Sequence, residues 1–239
     1  MFTSLWVAYP LYGSVIDTDD TTSESESSKW AYNPDIDSED QINIVGQMPY
    51  GVNYGSTSTD GYDSNLEYYA RGHQIPNADR KSTAIMNAHT YYVTNSTPQI
   101  HRSFNSGIWK SLEAAVRGQI PDNDTLYVVT GAAFQKKGES TKSVTWITPR
   151  GETTKKCPVP NFYWKALLKV KRGNDGQVTS ASTIGFWLPH ENLSGKNYAN
   201  YAVSVDQIEQ WTGFELFVNL PGTVDAAESN CDWQNFQSF

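Results

Sequence analysis

Long apolar runs are absent from this chain: nothing in it approaches the ~20 consecutive apolar residues that a membrane-spanning helix needs. Cysteine is scarce. Cys157 and Cys231 are the only two in 239 residues, enough for one disulfide at most. No histidine lies at ligand spacing from either, so they do not read as a zinc site. Two buried thiols and one bridge both fit the count, and a bridge would indicate an oxidising compartment. Met1 to Pro10 has no basic start and no long apolar stretch. No signal peptide is therefore expected there, and the chain opens as a mature domain would.

Positive charge is in deficit too. Eighteen Lys and Arg face 26 Asp and Glu, a net charge of −8. Such a chain repels a phosphate backbone at long range, so any polyanion site must concentrate its cations in a cleft. What the chain has in quantity is aromatic side chains, with 8 Trp and 14 Tyr. That composition argues for a folded, strand-leaning protein and against a disordered one. The length supports one large core. With no internal repeat and no splitting linker, residues 1–239 are expected to form a single domain.

Taken in order, Leu5 to Val15 alternates and reads as a strand or hairpin. Asp17 to Ser28 is acidic and rich in Ser and Thr. Thr22 and Ser28 stand where an EF-hand loop needs Gly and Glu, so a solvated surface loop is expected. Asp35 to Asn65 reads as a long irregular connection, a kind that is often functional. Leu66 to Ile75 reads as a strand ended by Pro76. Residues two apart on a strand share a face, which puts Arg71 and His73 together with Gly72 opposite. Ser82 to His89 is a short helix or turn, Thr90 to Thr94 a strand, and Asn95 to Asn105 a loop holding Pro98. Ile108, Leu112, Ala115 and Val116 form one apolar face of a helix over Ser106 to Gly118, with Asn105 or Ser106 as N-cap.

Strands are expected at Thr125–Gly131, Ser143–Thr148, Phe162–Arg172 and Ala181–Leu188, with a further extended segment at Tyr201–Val205. Ser204 and Gln207 mark a capping box for a helix to about Thr212, closed by Gly213. Phe214 to Leu220 reads as a last strand before a polar tail. The fold class is α+β: a mixed, mostly antiparallel central sheet with flanking helices.

Six residues carry chemistry when taken together: Arg71, His73, Asn95, Asn105, Glu113 and Arg117. A neutral histidine is a general base near pH 7. Arginine presents a planar fork to phosphate oxygens. Asparagine offers one neutral oxygen to a hard cation that keeps its waters, as Mg²⁺ does. Asn105 and Glu113 are eight residues apart on one helix edge, about 12 Å along the axis, too far for both to be close ligands of one ion. Singly, each residue has a plainer role: Glu113 and Arg117 as a surface ion pair at i, i+4, Asn95 and Asn105 as turn or cap residues, Trp109 as core.

Order and spacing point further. Ala70-Arg-Gly-His73 with Pro76, Asn95-Ser-Thr-Pro-Gln99, and Asn105 followed by Trp109-Lys-Ser-Leu-Glu113 resemble the motifs of the DNA/RNA non-specific endonucleases, the ββα-metal or His-Me finger nucleases. Arg117 falls where that family has an arginine one turn later. Trp6–Tyr9, Val128–Gly131, Val159–Lys165 and Val203–Gly213 resemble flanking segments of the same family, so the likeness covers most of the chain. Two positions depart from it. Ala70 stands where the motif has Asp, with Glu67 or Asp79 as candidate replacements, and Lys29 stands where an early-loop arginine is expected.

The resemblance implies a ββα-metal active-site motif and a Mg²⁺-dependent endonuclease, with Mn²⁺ or another divalent cation as substitutes. It would cut DNA and RNA to 5′-phosphate ends through backbone contacts. It assigns His73 as base, Asn105 as metal ligand, Glu113 to the metal-bound waters and Asn95 to fixing the site. Arg71 and Arg117 would contact phosphate, with Arg80 more peripheral. An inhibitor protein is a conceivable partner, and a secreted or periplasmic address is implied. Two other classes fit the same residues: an inactive nucleic-acid- or partner-binding module on this fold, and a phosphodiesterase with a different substrate. Sequons at Asn95, Asn123 and Asn192 read as chance matches, because a glycan on Asn95 would sit in the site.

Overall fold

The computed structural model describes residues 4–16, 30–44, 48–49, 68–122, 124–149, 154–221 and 228–239. The acidic loop Asp17–Ser28, most of the connection before Asn65, Lys29 and Glu67 lie outside them. The main sheet has five antiparallel strands: β1 (Trp6–Leu11), β5 (Leu126–Ala133), β8 (Phe162–Arg172), β9 (Val178–Pro189) and β10 (Ala202–Val203), in the order β1-β5-β8-β9-β10. A three-stranded sheet of β2 (Met48–Pro49), β3 (Tyr68–His73) and β4 (Ser96–Ile100) carries the site, and β6 (Thr145–Ile147) pairs with β7 (Cys157–Val159). The α+β reading holds.

β8 lies in the middle of the large sheet and is buried over its first nine residues. Its alternation therefore feeds two cores. Tyr163 and Leu167 join the larger cluster with Leu112, Val116 and Phe104, while Phe162, Trp164 and Ala166 join a second cluster with Val205 and Ile208. The helices are α1 (Gly13–Ile16), α2 (Ala84–His89), α3 (Lys110–Arg117), α4 (Val205–Thr212) and α5 (Trp233–Ser238). Leu112 and Val116 of α3 are fully buried, worth on the order of 2 kcal/mol each. At α4, Ser204 Oγ accepts from the Gln207 N–H at 3.1 Å, and Gly213 closes the helix at φ 77°, as expected of the caps, but the box is half made, because Gln207 Nε2 donates to Gln210 Oε1 at 2.6 Å.

Several expectations are corrected. Thr90 to Thr94 is not a strand: α2 runs on through turns, with the Thr90 hydroxyl donating to Asn87 O at 2.7 Å, into a 3₁₀ turn at Val93–Asn95. The strand comes one segment later, as β4. Pro98 disguised it, but β4 is an edge strand, where a missing N–H is tolerated. Phe214 to Leu220 forms no strand either. Phe217 takes a left-handed φ of 52° and the Leu220 N–H turns back to Phe217 O at 2.9 Å. The polar tail hides α5, capped by Asp232 and anchored by buried Trp233 and Phe236. Among the described residues no disulfide forms: Cys157 is buried and Cys231 exposed.

Candidate active site

A cleft of about 500 Å³ is lined by Arg71 and His73 from β3 and by Asn105, Glu113 and Arg117 from the helical stretch that follows β4. β3 and β4 run antiparallel, pairing Arg71 with Pro98, Gly72 with Thr97 and His73 with Ser96. Arg71 and His73 share the cleft face, as strand alternation requires. Gly72 is needed on the other side. A Cβ there would lie 2.3 Å from the side chain of Gln99, which is wholly buried.

The helix entry is not the simple N-cap that the sequence suggests. The chain enters a wide, π-type stretch, His101–Trp109, before α3 begins, with a non-helical break at Gly107. A Cβ at Gly107 would lie 2.8 Å from Arg102 O, so the break needs a glycine. The Lys110 N–H reaches back to Asn105 O, five residues earlier. Asn105 thus sits inside the widened turn and its side chain caps nothing. Widened turns of this kind often mark functional sites.

His73 is held between aromatics. Its ring centroid is 4.7 Å from Trp30 and 5.1 Å from Tyr91, the latter nearly perpendicular. Backbone hydrogen bonds from Ala31 N–H to Tyr91 O (3.1 Å) and from Val93 N–H to Ala31 O (2.9 Å) keep Trp30 in place. Burial, reinforced by the charge of Arg71, depresses the His73 pKa to about 4, so the imidazole is neutral at pH 7. Its Nε2 is buried with no hydrogen-bond partner among the described residues. Arg71 stacks its guanidinium 4.9 Å over Trp30 and donates to Asn43 Oδ1 at 3.4 Å.

Asn95 and Arg80 are not among the lining residues. The Asn95 amide is buried and spent on backbone: it donates to Thr90 O (2.8 Å) and Ile75 O (3.0 Å) and accepts from the Ile75 N–H (3.0 Å). It pins the chain just beyond His73, and both of its amide hydrogens are engaged, which leaves none for a glycan. Arg80 donates to Pro10 O (3.0 Å) on the edge strand β1 and stacks over Tyr9. Its fork covers a sheet edge.

Beneath the cleft lies a charge cluster that sequence reasoning missed. Burial raises the Glu113 pKa to about 7, opposed by the charges of Lys165 and Arg117 and reinforced by Asp79. Lys165, wholly buried on β8, donates to Thr130 Oγ1 at 2.7 Å and stacks over Trp109 at 4.6 Å. A lysine inside the apolar run Phe162-Tyr-Trp-Lys-Ala-Leu-Leu168 was the available signal, since a lysine is almost never fully buried without a partner. Among the described residues, Arg71, Lys110 and Arg117 face one carboxylate, Glu113, in the cleft lining. The chain is acidic overall, yet this cleft is positive.

Two antiparallel strands and the helix that follows them carry a partly buried, neutral histidine, flanking arginines and an asparagine in a widened helical turn, a ββα arrangement. The chain belongs to the DNA/RNA non-specific endonuclease family, whose model matches residues 2–223. It is 29% identical over 172 residues to a nuclease of Nostoc sp., covering 69% of this chain and 56% of that protein. It is 25% identical over 224 residues to the nuclease of Serratia marcescens, covering 93% and 71%. Against human mitochondrial nuclease EXOG it is 26% identical over 178 residues, covering 72% and 47%. The chain thus spans about half the length of several relatives it matches. The solved structure of the EndoG/EndoGI complex superposes with a TM-score of 0.63 at 21% identity, covering 90% of this chain and 79% of that one, a likeness of fold. Among the described residues no helix is long and apolar enough to cross a membrane.

Proposed function

We propose that the protein is a Mg²⁺-dependent, sugar-non-specific endonuclease that hydrolyses DNA and RNA to 5′-phosphate ends. One observation carries this reading: His73, neutral and with an unbonded ring nitrogen, lines the same cleft as Asn105, Glu113 and two arginines. The donor set suits the metal. Asn105 and Glu113 offer hard oxygen ligands, and so sparse a set fits Mg²⁺, which keeps most of its waters, with Mn²⁺ or another divalent ion as substitute. Asn105 would hold the ion directly and Glu113 its waters. Among the described residues the one denser acidic group, Asp206, Glu209 and Glu228, lies outside this cleft. When bound, the ion stabilises charge developing on the leaving 3′ oxygen.

The chain's own residues do the rest. Neutral His73 takes a proton from water, and the resulting hydroxide attacks phosphorus in line. Arg71 and Arg117 grip phosphate oxygens. Contacts to backbone rather than to base edges carry no sequence information, which accounts for cleavage of both nucleic acids. An inhibitor protein belongs to this reading as a partner, supported by the fold's likeness to a nuclease solved with its inhibitor. A secreted or periplasmic address rests on the family resemblance.

The test uses plasmid DNA and RNA with Mg²⁺, with EDTA, and with His73→Ala and Asn105→Ala. Wild type is expected to cut both substrates only with the metal, and both variants to fail. If wild type leaves both intact with every divalent ion tried, or His73→Ala cuts as well, the reading is wrong. Ala70, which lines the cleft where the motif has a carboxylate, favours one other reading, a binding module without catalysis. Salt-sensitive DNA binding without cleavage would establish that instead.

A further inference from the structure

Arg117 does not pair with Glu113 one turn before it. Its ion pair is with Asp79: Nη1 donates to Asp79 Oδ1 at 2.8 Å. The other carboxylate oxygen, Oδ2, accepts from the hydroxyl of Tyr9 at 2.9 Å. The Asp79 side chain is 2% exposed and that of Arg117 23%, so the carboxylate is the fixed partner and the guanidinium the one that reaches solvent.

Three elements meet at this carboxylate. Asp79 ends the 3₁₀ turn Asn77–Asp79 just after β3, a turn secured by the Asp79 N–H donating to Pro76 O at 3.0 Å. Its neighbours Pro76, Asn77 and Ala78 line the cleft. Tyr9 stands on β1 of the main sheet and Arg117 on α3. Buried Lys165 interacts with both Asp79 and Glu113, so two cations and two carboxylates balance. Removing one member would leave a buried charge uncompensated.

We propose that Asp79 is a positioning residue that draws the Arg117 guanidinium away from Glu113 and aims its remaining N–H groups into the cleft, with Tyr9 as its anchor. With one Nη1 hydrogen engaged, one N–H on Nη1, two on Nη2 and one on Nε are left for a phosphate. Without the clamp, the nearest carboxylate for Arg117 is Glu113 at i−4, and that pairing would occupy both the phosphate arm and the group assigned to the metal's waters. The kinetic consequence rests on the nuclease reading, whereas the clamp itself does not.

The test therefore has two arms, on folded variants checked by thermal melting. In the first, ¹⁵N NMR of the arginine side chains follows the guanidinium of Arg117, assigned by the signal lost in Arg117→Ala. Asp79→Asn is expected to free its rotation, and Tyr9→Phe to do so partly; an unchanged signal in Asp79→Asn overturns the proposal. In the second, Asp79→Asn lowers kcat/KM on plasmid DNA by about tenfold. In an Arg117→Ala background the same change costs less than about twofold. Equal losses in both backgrounds would make Asp79 a structural residue and overturn the proposal. Should Asp79→Asn fail to fold, Tyr9→Phe, which keeps the ion pair, takes its place in both arms. If wild type cleaves nothing, the nuclease reading falls while the NMR arm still decides the clamp.

Discussion

His73 and His190 are both partly buried, and the desolvation of their rings holds both near a pKa of about 4. They differ in what their nitrogens do. His190 is saturated: Nδ1 lies 2.8 Å from Pro160 O, and Nε2 accepts from the Ile100 N–H at 2.8 Å. It ties the end of β4 to the turn before β8, with Phe104 and Tyr163 packed on its ring. His73 keeps a buried nitrogen without a partner, beside Arg71 and between Trp30 and Tyr91. A buried polar atom left unbonded costs about 1–3 kcal/mol. The contrast separates a histidine that builds the fold from one that the fold holds ready.

The largest expected effect is on catalysis. His73→Ala should lower kcat on plasmid DNA by about 10²–10⁴-fold, with a loss of stability limited to its ring packing on Trp30 and Tyr91, because no hydrogen bond at Nε2 is lost. His190→Phe should do the reverse. It orphans the Ile100 N–H and Pro160 O, so urea denaturation should show a loss of about 2–5 kcal/mol, with kcat of the remaining folded enzyme near wild type.

Acid sharpens the same comparison. A histidine whose folded pKa is depressed binds its proton more readily unfolded. Stability is therefore full above about 6.5 and falls as pH drops toward about 4, by about 3 kcal/mol for each such histidine. Glu113, whose raised pKa favours the fold in acid, works against that slope; His190→Phe should remove one histidine's share of it in urea melts between these pH values, and a slope identical to wild type would show that His190 does not titrate there. The smallest effect belongs to Arg80→Ala. Its donors go to Pro10 O and Asp79 O, so about 1 kcal/mol of stability should be lost and kcat/KM on DNA should hardly move. A tenfold drop in kcat/KM would place Arg80 on the substrate after all.

The cleft was legible wherever local periodicity governs. The strand period put Arg71 and His73 on one face and the helix period put Glu113 and Arg117 on one edge, whereas Asn105 reaches the cleft through the widened turn and the break at Gly107. All five line the cleft. Asn95 and Arg80 were legible as residues but not as roles, because their polar groups are consumed by backbone from other segments. Ala70 stayed ambiguous. Asp79, one candidate replacement for the missing carboxylate, is engaged with Arg117 and Tyr9.

The strand at Phe162–Arg172, the one expected at Thr125–Gly131 and found at Leu126–Ala133, the caps of α4 and the α+β class followed from sequence alone, since each depends on residues within a turn or two of one another. Tertiary structure decided the rest. It made Ser96–Ile100 a strand despite Pro98, because the edge position spares the missing N–H. It kept Phe214–Leu220 out of the sheet, with the turn at Phe217 and packing on the second core. It also set Asp79, Tyr9, Lys165 and Trp30 around the site from distant parts of the chain. Charge pairing and aromatic contact across such separations leave no periodic trace, so only the packed fold could show which carboxylate holds Arg117 and which rings enclose His73.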